Sequence, residues 1–289
     1  MPRLVVFIYY IYMEKYMEKL SFFWQKIVEI YQQVFSVLRK NPTVVILFIW
    51  LAILDVIALV LLFLAPSPPV SGVLAPIIRT FWGDYFLHYP NNFLILPKLF
   101  GHAHFIITTV VGVFVSGLVI KKIEADTKGE KLSTLSAAAP VFKRYFSLIL
   151  VWLLSYGVFV VVFKGILPLL PHNLWVQFGG GFFLGLFIQS ILAFLLPALL
   201  IIENGFFKAL WEGIRFGFKN VVLMSGLIFI PMLFALVISF VKLYTPLFVR
   251  IRPEIVVWVL AVGIVISLVV DIFVTSSATL LFLKVRNKS

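Results

Sequence analysis

Residues 43–65 read TVVILFIWLAILDVIALVLLFLA, an unbroken apolar run in which Asp55 is the single charged side chain. A helix rises about 1.5 Å per residue, so about 20 apolar residues cross the roughly 30 Å hydrocarbon core of a bilayer. This run is therefore long enough to span a membrane. Five further segments qualify: 105–120, 145–163, 178–202, 221–241 and 255–282. The second is the shortest and is expected to start nearer Gly101.

The whole chain carries the same signature. Its 289 residues are 62% hydrophobic and 12% charged, whereas a soluble domain is about half apolar and about a quarter charged. The expected fold is all-α: a polytopic transmembrane helical bundle, six spans arranged as three hairpins with interfacial amphipathic helices. An interfacial amphipathic region is expected at 1–42 and the six-helix domain at 43–286. The absence of cysteine excludes disulfides, iron–sulfur clusters, thiolate metal sites and cysteine nucleophiles. The net charge of +12 comes from basic residues in short segments between apolar runs. That distribution suits anionic lipid headgroups at the cytoplasmic face and not nucleic acid.

Basic residues also orient the spans, because cytoplasmic connections are enriched in Lys and Arg. Of the 24, 18 lie in the N-terminal region, in 121–144, in 203–220 and in the tail, and six in the other connections. Both termini are thus expected inside a cytoplasmic membrane. His88, His102, His104 and His172 then fall on the outer side, with the connection 66–98. Its Phe81, Trp82, Tyr85, Phe86, Tyr89 and Phe93 are expected at the headgroup level. The apolar run at residues 4–12 is shorter than a span and has no small-residue cleavage site, so it is not read as a signal peptide. Met13 opens a more conventional polar start, which leaves translation from either methionine open.

A similar entrance precedes the first, third and fifth spans. Phe35 precedes Arg39-Lys40-Asn41-Pro42, Phe142 precedes Lys143-Arg144-Tyr145, and Phe218 precedes Lys219-Asn220. Three hairpins related by approximate duplication are expected. In the first lead-in, Leu20, Phe23, Trp24, Ile27, Tyr31, Val34 and Leu38 oppose Glu18, Ser21, Gln25, Glu29, Gln32 and Ser36. In the third, Phe207, Leu210, Trp211, Ile214 and Phe218 oppose Lys208, Glu212, Arg215 and Lys219, and Glu212 can pair with Lys208 or Arg215. Both should lie in the interface. Phe207, Trp211, Ile214 and Phe218 are a candidate docking face for a cytoplasmic protein partner.

The stretch Ile202-Glu203-Asn204-Gly205-Phe206-Phe207-Lys208-Ala209-Leu210, continuing to Phe218-Lys219-Asn220, resembles a recurrent segment of six-span bacterial and archaeal membrane proteins. These are similar to the membrane domain attached to some glycerophosphodiester phosphodiesterases and to a set of inner-membrane proteins. The final Thr279-Leu280-Leu281-Phe282-Leu283-Lys284-Val285-Arg286 looks like that group's closing helix. The resemblance covers about 31–286 and implies the fold. It carries over no catalytic residue, and this chain has no room for the soluble phosphodiesterase barrel.

Depth along the helices picks out a candidate polar layer. Asp55, Gln189 and Asp271 each lie about 18 to 21 Å from the inner face at helical rise. Thr108, Thr109, Ser155 and Tyr156 share that level. The layer is thus Asp55, Gln189, Asp271, Thr109 and Tyr156, with no Lys, Arg or His expected at its depth. Intramembrane carboxylates are costly and face a bundle interior or a cavity. As glue, they would hydrogen-bond between helices; in a carrier, they would bind a proton or cation.

His102 and His104 form an H-x-H whose rings point to different helix faces, so no metal site is expected. Gly179-Gly180-Gly181 with Gly185, and Gly213 with Gly217, provide small-residue stripes for close helix approach. The hydrolase, metalloprotease and nucleotide signatures GxSxG, HExxH and GxxxxGK[ST] are missing. No cofactor is expected. The sequence therefore favours a non-enzymatic integral inner-membrane protein that binds lipids or a partner, with envelope maintenance as the expected setting, and a small proton- or cation-coupled transporter or channel that uses the midplane polar layer as the rival.

Overall fold

Helix breaks in this chain fall where the backbone cannot continue or where an added residue loosens a turn. The computed structural model describes residues 2–171, 173–202 and 205–286. His172, Glu203 and Asn204 lie outside them, as does the side chain of Leu20. The first helix, α1 (Pro2–Lys40), gives way at Asn41 to α2 (Pro42–Phe63). Pro42 opens α2 in the first turn, where its missing N–H leaves no bond unmade. Next come α3 (Ser71–Trp82), a 3₁₀ turn at Asp84–Leu87, and α4 (Asn92–Ile107). A π-helical segment, Thr108–Gly112, joins α4 to α5 (Val113–Thr127) without a break. A short α6 (Thr134–Lys143), capped by the Ser133 hydroxyl accepting from the Ser136 N–H, leads into α7 (Tyr145–Ile166). The chain ends with α8 (Leu174–Leu192), α9 (Leu195–Ile201), α10 (Phe206–Leu243), α11 (Thr245–Ile251) and α12 (Ile255–Arg286).

Six helical stretches are long and apolar enough to cross a membrane: Pro42–Phe63, Asn92–Thr127, Tyr145–Leu169, Trp175–Ile201, Phe206–Leu243 and Ile255–Arg286. No strand occurs among the described residues. The chain is a multi-pass, all-α membrane protein, as the apolar runs indicated.

At the centre of the main core lies α9, with Leu195, Ala198, Leu199, Leu200 and Ile201 all buried among α5, α7, α10 and α12. A helix leaves its last carbonyls without intrahelical partners. Here arginines supply them. Arg144, between α6 and α7, donates to the carbonyls of Leu199 and Ile202, and Arg286, ending α12, donates to that of Ile201.

The lead-ins differ from the expected pattern in three ways. In α1 the covered residues are Ile27, Ile30, Val34 and Val37, whereas Trp24 is exposed. Ile30 and Val37 complete the stripe because α1 packs on both α10 and α12. The Tyr31 hydroxyl donates to the Leu227 carbonyl of α10, its ring meets Phe273 edge to face, and Lys284 pairs with Glu29 at 2.6 Å. The third lead-in is no separate helix but the first turns of α10, with no proline or unbonded residue to end it. Glu212 makes no ion pair among the described residues, in line with the small worth of exposed pairs.

The connection after α2 also departs from expectation at one residue. Phe81, Tyr85 and Tyr89 are exposed, but Phe93 is buried with Leu59, Leu96 and Leu260. Because α4 begins at Asn92, Phe93 already belongs to a helix packed on α2 and α12. Asp84 pairs with Arg79 at 2.8 Å, and that guanidinium holds its carboxyl below the usual carboxylate range.

The small-residue stripes work within the chain. A Cβ on Gly213 would meet Leu195 and Ala198, and one on Gly217 would lie 2.3 Å from the Ile191 carbonyl oxygen. Gly181 and Gly185 face Leu167 and Phe163, whereas Gly179 has open space around it. Gly217→Ala should therefore cost about 2 kcal/mol by overpacking. Gly179→Ala should be neutral or mildly stabilising through helix propensity. Thermal unfolding of the purified variants in detergent checks the pair, and equal melting temperatures would contradict the close approach of α10 to α8.

Candidate functional site

Asp55 sits midway along α2 and is buried. Its carboxylate Oδ1 accepts a hydrogen bond from Nδ1 of His104 on α4 at 3.0 Å. The Asp55 side chain is 5% exposed and the imidazole 35% exposed, so the histidine reaches inward from a partly open position. Phe100, one turn earlier, stacks on the ring at 6.0 Å between centroids. This corrects the expectation of no basic side chain beside Asp55. Because α4 already starts at Asn92, residue 104 is well inside the helix and not at its outer end. His102, two positions away, points elsewhere: its Nδ1 contacts the Lys98 carbonyl at 2.7 Å and its ring meets Trp82.

Asp271 lies on α12, which packs on both α2 and α4, the helices that carry Asp55 and His104. It also lines a cavity of about 350 Å³. Gln189 of α8, Tyr156 and Ser155 of α7, Ser116 of α5 and Thr275 of α12 line the same cavity. The polar layer read from depth is thus partly assembled. Asp271, Gln189 and Tyr156 meet around one space, whereas Asp55 is turned to His104 and Thr109 donates to the carbonyl of Phe105.

Thr108, which shares that level, takes the place expected of Thr109, and both residues open the π-helical segment. Thr108 lines the cavity, and its hydroxyl is buried without a partner among the described residues. The same irregularity frees backbone groups, and the Tyr145 hydroxyl donates to the Val110 carbonyl.

A second irregularity borders the cavity from the opposite side. Pro197 has no N–H to offer the Ala193 carbonyl and its ring crowds that turn. The span accordingly breaks between Leu192 and Leu195, and Leu192, Ala193, Leu196 and Pro197 all contribute to the lining.

Asp271 is the one carboxylic side chain in this lining, which contains no Lys, Arg or His. Four aromatic residues, Phe48, Trp152, Tyr156 and Phe159, form much of the wall, and the Trp152 and Tyr156 rings are near parallel at 5.7 Å. No hydrogen bond or ion pair to the Asp271 carboxyl forms among the described residues.

The candidate docking residues do not gather at this site. Phe207, Trp211 and Phe218 are exposed along α10, and Ile214 is partly covered. Comparison with known proteins gave no match to a family model, a curated protein or a solved structure.

The hydrogen bond between α2 and α4 joins a buried carboxylate to its sole side-chain donor among the described residues. His104→Ala should destabilise the protein by about 2 kcal/mol, because it strands Asp55. In a double-mutant cycle with Asp55→Ala, the combined loss should be smaller than the sum. Strict additivity in detergent unfolding would show that the pair carries no coupling.

Proposed function

We propose that the protein is a small carrier, which binds a solute in the cavity beside Asp271 and moves it across the membrane in exchange for, or together with, a proton or cation. The observation that carries this reading is the Asp271 carboxyl, facing a cavity whose lining offers it no basic residue. An ionisable group at such depth is expensive unless it serves a pathway or has a partner. Asp55 has such a partner in His104, and Asp271 borders space large enough for a ligand.

Backbone irregularity supports the same reading. Interrupted helices are tolerated at membrane depth where they line a cavity, and they commonly form the binding sites of transporters. The π-helical Thr108–Gly112 and the break before Leu195 both border this one.

The cytoplasmic placement of both termini, in a cytoplasmic-type membrane, belongs to the proposal and rests on the distribution of Lys and Arg. So do contacts with anionic lipid headgroups. A groove of about 620 Å³ between α1, α10 and α12 carries Lys26, Asn220 and the Lys284–Glu29 ion pair together with the apolar Ile30, Leu223 and Leu281. The likeness of 202–220 and 279–286 to six-span inner-membrane proteins supports the architecture and assigns no chemistry.

A second reading, a non-enzymatic scaffold that binds lipids or a partner, is favoured by the exposed row Phe207, Trp211 and Phe218. Thiol labelling separates the two, and the native chain has no cysteine to interfere. In native membranes, a membrane-impermeant maleimide should modify Asp271→Cys and spare Ile228→Cys, which lies in the packed core. Protection of a correctly folded Asp271→Cys from both sides would mean a dry interior and leave the scaffold reading in possession.

A further inference from the structure

We propose that the cavity beside Asp271 selects a small organic cation carrying an aromatic or aliphatic body, an amine of roughly the size of phenethylammonium. The proposal rests on the carrier reading and names its substrate class. Three features of the lining lead to it.

The first is charge. Asp271 is the one carboxylate in a lining that holds no Lys, Arg or His, so an anionic solute would meet a carboxylate with no basic side chain beside it in the lining. A cationic solute would neutralise it in a setting of low dielectric, where such pairing counts for more than in water.

The second is the wall. Phe48, Trp152, Tyr156 and Phe159 present aromatic surface to the same space, and the faces of such rings attract ammonium groups. Phe105 packs against both Trp152 and Tyr156, with centroids 5.2 and 4.6 Å away.

The third is size. A water molecule takes about 30 Å³ of liquid volume, so 350 Å³ corresponds to several non-hydrogen groups and far exceeds a bare metal ion. Hard cations also call for a shell of six or more oxygens. Here one carboxylate is accompanied by the Gln189 amide and a few hydroxyls, with the rest of the lining apolar. An organic cation matches both halves: its ammonium group pairs with Asp271 and bonds to the Gln189 carbonyl oxygen, while its body fills the apolar remainder.

The test uses the full-length protein in detergent and three probes of similar shape: phenethylammonium, neutral 2-phenylethanol and anionic phenylacetate. Equilibrium dialysis should show saturable binding of the amine, with the alcohol and the acid failing to compete. Asp271→Asn should weaken amine binding at least tenfold and Asp271→Glu less. Trp152→Leu provides a second check should the aspartate variants fold poorly, and should also reduce the affinity. Equal binding of amine and alcohol, or amine binding that survives Asp271→Asn, would overturn the assignment. No amine binding together with maleimide access at Asp271→Cys would discard the organic cation yet leave a wet pathway and the carrier reading standing. No amine binding together with protection of Asp271→Cys would remove both.

Discussion

The carbonyls at the end of α9 set a condition that the rest of the bundle must meet. A helix of seven residues, buried but for the partly covered Leu196, ends with backbone acceptors that no later turn of its own satisfies. Two guanidiniums meet the need, one arriving from the entrance of α7 and the other from the last turn of α12. Arginine suits this position because it stays charged and presents several donors in a fixed plane. The consequence is architectural. The end of the fourth span, the start of the third and the close of the sixth are tied at one place, and α10 packs against them through Gly213 and Gly217.

Irregularity falls within two of the spans. Pro197 interrupts the fourth span one turn after Ala193, and the π-helical segment widens the second. Two regular helices would present closely packed ridges to one another. A widened turn and a broken one cannot do so along their whole length, and the space they leave is lined by their own residues, Thr108, Gly112, Ala193 and Pro197. The cavity is thus a result of where the backbone departs from the α-helix. Polar side chains then collect there because the alternative is lipid.

Much of this architecture was legible in the sequence, because apolar length is a one-dimensional property. Six runs gave six spans, and Asp55, Gln189 and Asp271 were recognisable by depth alone. What depth cannot supply is rotation about the helix axis. Thr109 and Thr108 are equivalent by depth but lie about 100° apart around the helix axis, and Thr108 is the one that lines the cavity. In sequence His104 falls near the outer end of the second span, whose apolar run is the shortest of the six. Its helix in fact begins at Asn92, which carries His104 inward to Asp55. The joining of the third lead-in to α10 was equally hidden, because Lys219-Asn220 resembles Arg39-Lys40-Asn41 but lacks the proline that follows it.

The two intramembrane aspartates, which look alike in sequence, occupy different electrostatic situations. Asp55 has a donor at 3.0 Å and a nearly closed surrounding, so its hydrogen bond mainly fixes α2 against α4. Asp271 makes no hydrogen bond or ion pair among the described residues and lines the cavity instead. Two carboxylates at one depth are thus set apart by what lies beside them: a histidine on the neighbouring helix closes off Asp55, whereas the space left by two irregular helices opens beside Asp271.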